Sequence, residues 1–204
     1  MKTRELALVH PLLDEVAQLA ARGQKGGLAS ADELARLRVD LRKRLVQLRT
    51  DLGTTLTERE VYLALFPLVV LVDEIVQTTL VDVGRASWQA LQKEFFETDK
   101  GGDLFYSSLE DLLEVTQASP FVYQLYGFCL SLGFRGKYVE DPDRVAQYQR
   151  RLANKLAVAS PAPAAPLPPP PDPGRLRNPP PVAWYYAIAV GVVLLVYVLF
   201  DAAS

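Results

Sequence analysis

Residues 57–77, TEREVYLALFPLVVLVDEIVQ, decide the fold. Thr57 and Glu60 make a capping box: the hydroxyl accepts a free N–H of the first helical turn, and the carboxylate reaches back to the cap residue's own N–H. The run that follows is apolar for twelve residues, 61–72, and then breaks on Asp73 and Glu74. A bilayer needs about 20 apolar residues, so this stretch is too short to span one. With Pro67 inside it, the segment predicts a kinked helix buried in a protein core.

The same grammar extends in both directions. Upstream, Ser30 and Glu33 form a second capping box ahead of a leucine stripe at Leu34, Leu37, Leu41, Leu45, Leu48 and Leu52, with Gly53 as the stop. Before it, Leu6, Val9, Leu12, Leu13, Val16, Leu19 and Ala20 recur at three- and four-residue steps, predicting a first helix that ends near Arg22 and Gly23. Downstream, Trp88, Leu91, Phe95 and Phe96 predict a short aromatic helix, closed by a loop at residues 98–102. A helix over 104–115 follows, with Leu104, Phe105, Leu109, Leu112 and Leu113 on one side. Ser119-Pro120 and Asp141-Pro142 each place a cap residue before a first-turn proline, starting the last two helices, the first of which ends at Gly133. No hairpin signal interrupts the series. Residues 1–159 therefore read as one all-α domain, long enough to bury an independent core.

Composition narrows the chemistry. Of 204 residues, one is cysteine (Cys129) and one is histidine (His10), and the net charge is −2. An intramolecular disulfide, a thiolate zinc site and a histidine cluster are excluded by count, and a His-dependent triad has little to draw on. The near-neutral balance argues against nucleic acid as a partner. No metal, cofactor or enzymatic constellation is expected.

The C-terminal quarter has a different character. Eleven of the fifteen prolines fall in residues 161–181, and residues 182–200, VAWYYAIAVGVVLLVYVLF, carry no charge. As a helix these would be about 28 Å long, close to the hydrocarbon thickness of a bilayer. Arg175 and Arg177 precede the run and only Asp201 follows, so the positive-inside rule keeps the N-terminal bulk in the cytoplasm. Val182 opens the anchor. Trp184, Tyr185 and Tyr186 would sit at the near interface in contact with lipid headgroups, and Phe200 toward the far one. Gly191, four residues after Ala187, gives a small-xxx-small spacing that reads equally as a homo-oligomer contact or as a lipid-facing patch. The expected organisation is a cytoplasmic domain (1–159), a proline-rich spacer (160–181), a membrane anchor (182–200) and a short tail beyond the membrane (201–204). The spacer reading rests on the stiffness of polyproline II. The PxxP within PLPPPPDP keeps a second reading open, a tail-anchored adaptor that recruits an SH3-like partner.

Asp73 and Glu74 stand out because an unpartnered buried carboxylate is costly. One reading is a structural salt bridge, to Arg85 or Arg135, or simple exposure of Glu74. The other is an acidic edge that recognises a basic partner. Adjacent helical positions diverge by about 100°, so the pair does not form a two-carboxylate catalytic site. The basic set Arg36, Arg38, Arg42, Lys43, Arg44 and Arg49 alternates with the leucine stripe and reads as a solvated helix face. Lys100-Gly101-Gly102 lacks the spacing of a phosphate loop, and Cys129 reads as a small core residue.

The order of motifs carries a resemblance. LVDEIV (71–76), Trp88, GGDLFYSSLEDLL (101–113) and LYGFCLSLGFRGKY (125–138) together resemble the TssL/DotU (IcmH) family of type VI and type IVb secretion systems. The resemblance implies a hook-like, all-helical cytoplasmic domain of two bundles, held in the bacterial inner membrane by a C-terminal anchor, with its C-terminus in the periplasm. It implies partners too: a TssM/IcmF-like inner-membrane protein and cytoplasmic baseplate proteins. Asp73 and Glu74 become candidate partner-binding residues, expected to tolerate lysine without unfolding. Gly101, Gly102, Gly133, Phe134, Gly136 and Tyr138 become architectural. Two departures stand: residues 78–84 lack the family's Thr-Pro-Trp-Gly, and no peptidoglycan-binding domain is expected after the anchor.

Overall fold

The computed structural model describes residues 3–82, 87–114 and 119–159. Arg85, the proline-rich segment, the apolar run with Val182, Trp184, Tyr185, Tyr186, Gly191 and Phe200, and the tail lie outside the described residues. Among the described residues seven α-helices follow in order: α1 (Thr3–Gln24), α2 (Ala31–Leu52), α3 (Glu58–Thr79), α4 (Leu91–Phe96), α5 (Gly101–Glu114), α6 (Pro120–Ser131) and α7 (Pro142–Ala159). A 3-10 turn at Gly136–Tyr138 links the last two. Among the described residues there is no strand.

The decisive stretch is the hub. α1 and α2 pack on α3 and on each other, α5 and α6 pack on α3 from the second half of the domain, and α7 closes over α5 and α6. From 64 to 76 every residue of α3 except Glu74 is buried, the signature of a helix enclosed on all sides. Its length and hydropathy would suit a membrane span, yet most of that surface is covered by protein. Each fully buried Leu, Val or Phe in it contributes about 1.5–3 kcal/mol relative to exposure. Pro67 does not end the helix, which continues to Thr79, and its carbonyl oxygen lies 3.6 Å from the Cys129 thiol of α6.

Both capping boxes form. Ser30 Oγ accepts from Glu33 N at 3.3 Å and Glu33 accepts from Ser30 N at 2.9 Å. Thr57 and Glu60 repeat the exchange at 3.3 and 3.0 Å. The carboxylate of Asp141 caps α7 by accepting from Arg144 N at 2.9 Å, whereas Ser119 precedes Pro120 without a side-chain cap.

Two boundaries differ from the sequence reading. Trp88 does not lie on the short aromatic helix, which starts at Leu91; the preceding segment is held open by side-chain bonds described below. α5 starts three residues earlier than its apolar pattern, at Gly101 rather than Leu104. The Lys100 carbonyl accepts from both Asp103 N and Leu104 N at 3.1 and 3.0 Å, closing the helical turn at the two glycines.

Candidate functional site

Asp73 and Glu74 sit near the C-terminal end of α3's buried length and point to different neighbours. Asp73 is 2% exposed. Its Oδ1 accepts from Trp88 Nε1 at 2.7 Å and from Leu91 N at 2.8 Å, and its Oδ2 accepts from Gln92 N at 2.8 Å. One carboxylate thus satisfies the indole N–H and two of the free first-turn N–H groups of α4. Glu74 accepts from Arg135 N at 2.7 Å and Gly136 N at 2.8 Å. Burial pushes both carboxyls above the ordinary range, against the pull of these N–H donors.

The bonds that hold Glu74 to Arg135 run through the backbone N–H, not the guanidinium. This kind of satisfaction was not legible beforehand, because any residue can offer a main-chain N–H. Asp73 being this enclosed, exchange for lysine tests stability before it tests binding.

The two glycines lie between the two clamps. A methyl group on Gly101 would stand 1.9 Å from Gln92 Oε1 and 2.9 Å from both Val70 methyl carbons. One on Gly102 would stand 3.1 Å from the Gly136 Cα. Gly136 itself has φ +51°, and a methyl there would come within 3.0 Å of Gly102 Cα and Phe134 Cζ. Phe134 is buried against Phe105, ring centroids 4.2 Å apart. The four sequence motifs, spread from residue 71 to 138, therefore meet at one knot on the C-terminal half of α3.

From outside, Arg38 donates to the Gln89 carbonyl at 2.9 Å and to Glu94 at 2.8 Å, and Arg42 pairs with Glu94 as well. Part of the basic set on α2 thus grips the segment that Asp73 holds from inside. Arg44 pairs with Glu15 of α1 at 3.2 Å. Cys129 is fully buried, and its thiol is pushed up by desolvation, the state of an inert core cysteine. His10 is exposed, its ring 6.1 Å from Phe128. Among the described residues no three His, Cys, Asp or Glu side chains converge as a metal site.

A groove of about 640 Å³ opens where α2 ends, α3 begins and α4 ends. Tyr62, Leu65, Phe95 and Phe96 line it, with Arg49, Glu58 and Glu97 among the polar residues. Tyr62 and Phe96 meet edge to face at 5.4 Å. Its polar side-chain groups are those of Arg49, Glu58, Glu94 and Glu97 with the Tyr62 hydroxyl, a mixed rim beside an aromatic floor that suits recognition of a surface. Nothing in the sequence marked it, since its lining comes from three separate helices.

Compared with known proteins, residues 6–203 match the family described as "Type VI secretion system protein DotU". The chain belongs to the DotU family. The DotU structure from Francisella novicida superposes with a TM-score of 0.66 at 19% identity, covering 76% of this chain and 99% of that one. The cytoplasmic domain of TssL from Acinetobacter baumannii gives 0.63 at 20% identity, over 75% and 98% of the two chains. SciP/TssL from enteroaggregative Escherichia coli 042 gives 0.59 at 24% identity, over 84% and 98%. No curated protein sequence matches the chain. The DotU assignment supports the role of a secretion-system component, and the shared fold is that of the TssL cytoplasmic helical domain.

Proposed function

We propose that this chain is a membrane-held docking subunit of a type VI secretion complex. The observation that carries the reading is the extent of the DotU match, residues 6–203, which takes in the charge-free run 182–200 as well as the helical body. The domain stands on the cytoplasmic face of the bacterial inner membrane, and the run crosses it once, leaving the C-terminus in the periplasm. A TssM/IcmF-like membrane protein is its neighbour in the bilayer, and baseplate proteins dock from the cytoplasm. Asp73 and Glu74 serve partner capture by holding residues 88–92 and 135–136 in place.

Crosslinking in native membranes, detergent extraction and mass spectrometry test this. The expected outcome is co-recovery of a large IcmF-type membrane protein with cytoplasmic baseplate subunits. Recovery of SH3-like proteins alone, lost when the proline run is replaced by a Gly/Ser linker, would overturn it in favour of an adaptor.

A further inference from the structure

Basic residues gather ahead of the charge-free run. From residue 144 to residue 200 the chain holds Arg144, Arg150, Arg151, Lys155, Arg175 and Arg177 against one acid, Asp172, although its overall net charge is −2. The first four lie on α7. That helix packs on α5 and α6 and buries Val145, Tyr148 and Leu152 on one side. Its other side is exposed at Arg144, Gln147, Arg150, Arg151 and Asn154, with Lys155 half-buried beside them. Val158 ends this face and is 84% exposed.

These cations are positioned without being neutralised. Arg144 lies over the Tyr138 and Tyr148 rings, 6.0 and 5.7 Å from their centroids, and Arg151 lies 5.7 Å from that of Tyr148. A ring engages the face of a guanidinium and leaves its charge and its edge donors available. Arg144 spends one of those donors on Gln147, at 3.0 Å. Among the described residues no ion pair involves α7. Glu140, Asp141 and Asp143 stand at the start of the helix, where a carboxylate suits its dipole. On α5, Glu110 accepts from Tyr148, while Asp111 and Glu114 are exposed. Leu113 of α5 lines one hollow with Arg151, Asn154, Lys155 and Val158, so Arg150, about 100° round the helix from Arg151, lies on the edge farther from those acids.

We propose that the C-terminal half of α7 rests on the anionic phospholipid surface of the membrane that holds residues 182–200, an inference that depends on the membrane-held reading above. Lipid fits this face better than an acidic protein because the excess of cations continues through Arg175 and Arg177 up to the apolar run itself, the pattern of a juxtamembrane basic segment. Residues 160–181 span at most about 70 Å even when fully extended as polyproline II. The anchor therefore keeps α7 at a high effective concentration over one leaflet, and a weak contact is enough. Each exposed Lys or Arg near such a surface gives about a fivefold gain in occupancy. Phosphate oxygens accept from the guanidinium edges, and Val158 meets the headgroup layer.

The full chain, reconstituted into vesicles and labelled at Asn154→Cys with an environment-sensitive fluorophore, tests this; the buried Cys129 is out of the label's reach. In vesicles containing phosphatidylglycerol the label should shift to the blue and be quenched by spin-labelled lipid, and in pure phosphatidylcholine it should do neither. High salt should reverse the response. Arg150→Gln with Lys155→Gln should abolish it, Arg150→Lys with Arg151→Lys should keep it, and Asp111→Asn with Glu114→Gln should strengthen it. A chain that floats with both kinds of vesicle while its label ignores phosphatidylglycerol would overturn this inference alone and leave the face to an acidic protein. A response indifferent to salt and to the loss of charge would overturn it as well. A chain that floats with neither kind would overturn the membrane-held reading along with it.

Discussion

Asp73 and Glu74 follow one another in α3, and each fastens a different connector: residues 88–92 for the first, the turn at 135–136 for the second. The 88–92 segment is gripped twice, from inside by a 2%-exposed carboxylate and from outside by Arg38. The 135–136 turn is held by one half-buried carboxylate and by the backbone contact of Gly136 with Gly102. Water can take over from Glu74 at Arg135 N, which is exposed, but has no such access to Leu91 N. Equal chemistry at neighbouring positions therefore carries unequal weight, because the cost of an unmade hydrogen bond depends on whether solvent can replace it.

The largest effect should come from Asp73→Ala, which strands three donors with Trp88 Nε1 and Leu91 N among them; a loss of about 3–5 kcal/mol is expected in urea unfolding. A loss under about 1 kcal/mol would mean that residues 88–92 stay in place without the clamp, and the comparison would break. Next, Gly136→Ala introduces both a left-handed strain and a backbone clash, for about 1–3 kcal/mol by thermal melting. Glu74→Gln keeps one acceptor and leaves its site partly wet, so about 1 kcal/mol is expected by the same measurement. An effect equal to that of Asp73→Ala would show the two connectors to be equally dependent on their clamps.

The smallest effect is in pH dependence. Both carboxyls are raised in the folded state, mainly by burial. On acidification the folded form takes up protons before the unfolded one, so their contribution favours folding at low pH and declines as pH rises through the raised values. Glu94 behaves in the opposite sense: Arg42 and Arg38 lower it, and its contribution is lost as pH falls. The stability deficit of Asp73→Asn should accordingly be greatest near about pH 4 and shrink toward neutrality, read as melting temperature against pH for parent and variant. A deficit that grows toward neutrality would place the ionised Asp73 among the stabilised carboxylates.

Much of the fold was open to reading from residues alone. The capping residues Ser30, Glu33, Thr57 and Glu60, the leucine stripe of α2 and the prolines at 120 and 142 act on their own neighbours in the chain, and local chemistry is what a sequence spells out. Where the sequence pattern misleads, distant partners decide the outcome. Trp88 looked helical because its spacing from Leu91 and Phe95 is helical, yet its indole is claimed by a carboxylate fifteen residues away. Gly101 and Gly102 looked like a loop because glycine is a poor helix former, yet they open α5 where Val70 and Gly136 leave no room for a Cβ.

The candidate site divides in the same way. That Asp73 and Glu74 needed partners followed from the cost of burying charge within so apolar a helix. Which partners they found did not, because main-chain N–H groups are common to all residues and only the packing of α4 and of the 135–136 turn against α3 brought the right ones within 2.8 Å. The groove of Tyr62 and Phe96 likewise exists only once separate helices are laid together. Periodicity, caps and charge counts are properties of contiguous residues and were settled by the sequence by itself. Which surfaces adjoin, and which donors a carboxylate meets, are properties of three-dimensional neighbours, and tertiary structure alone decided them.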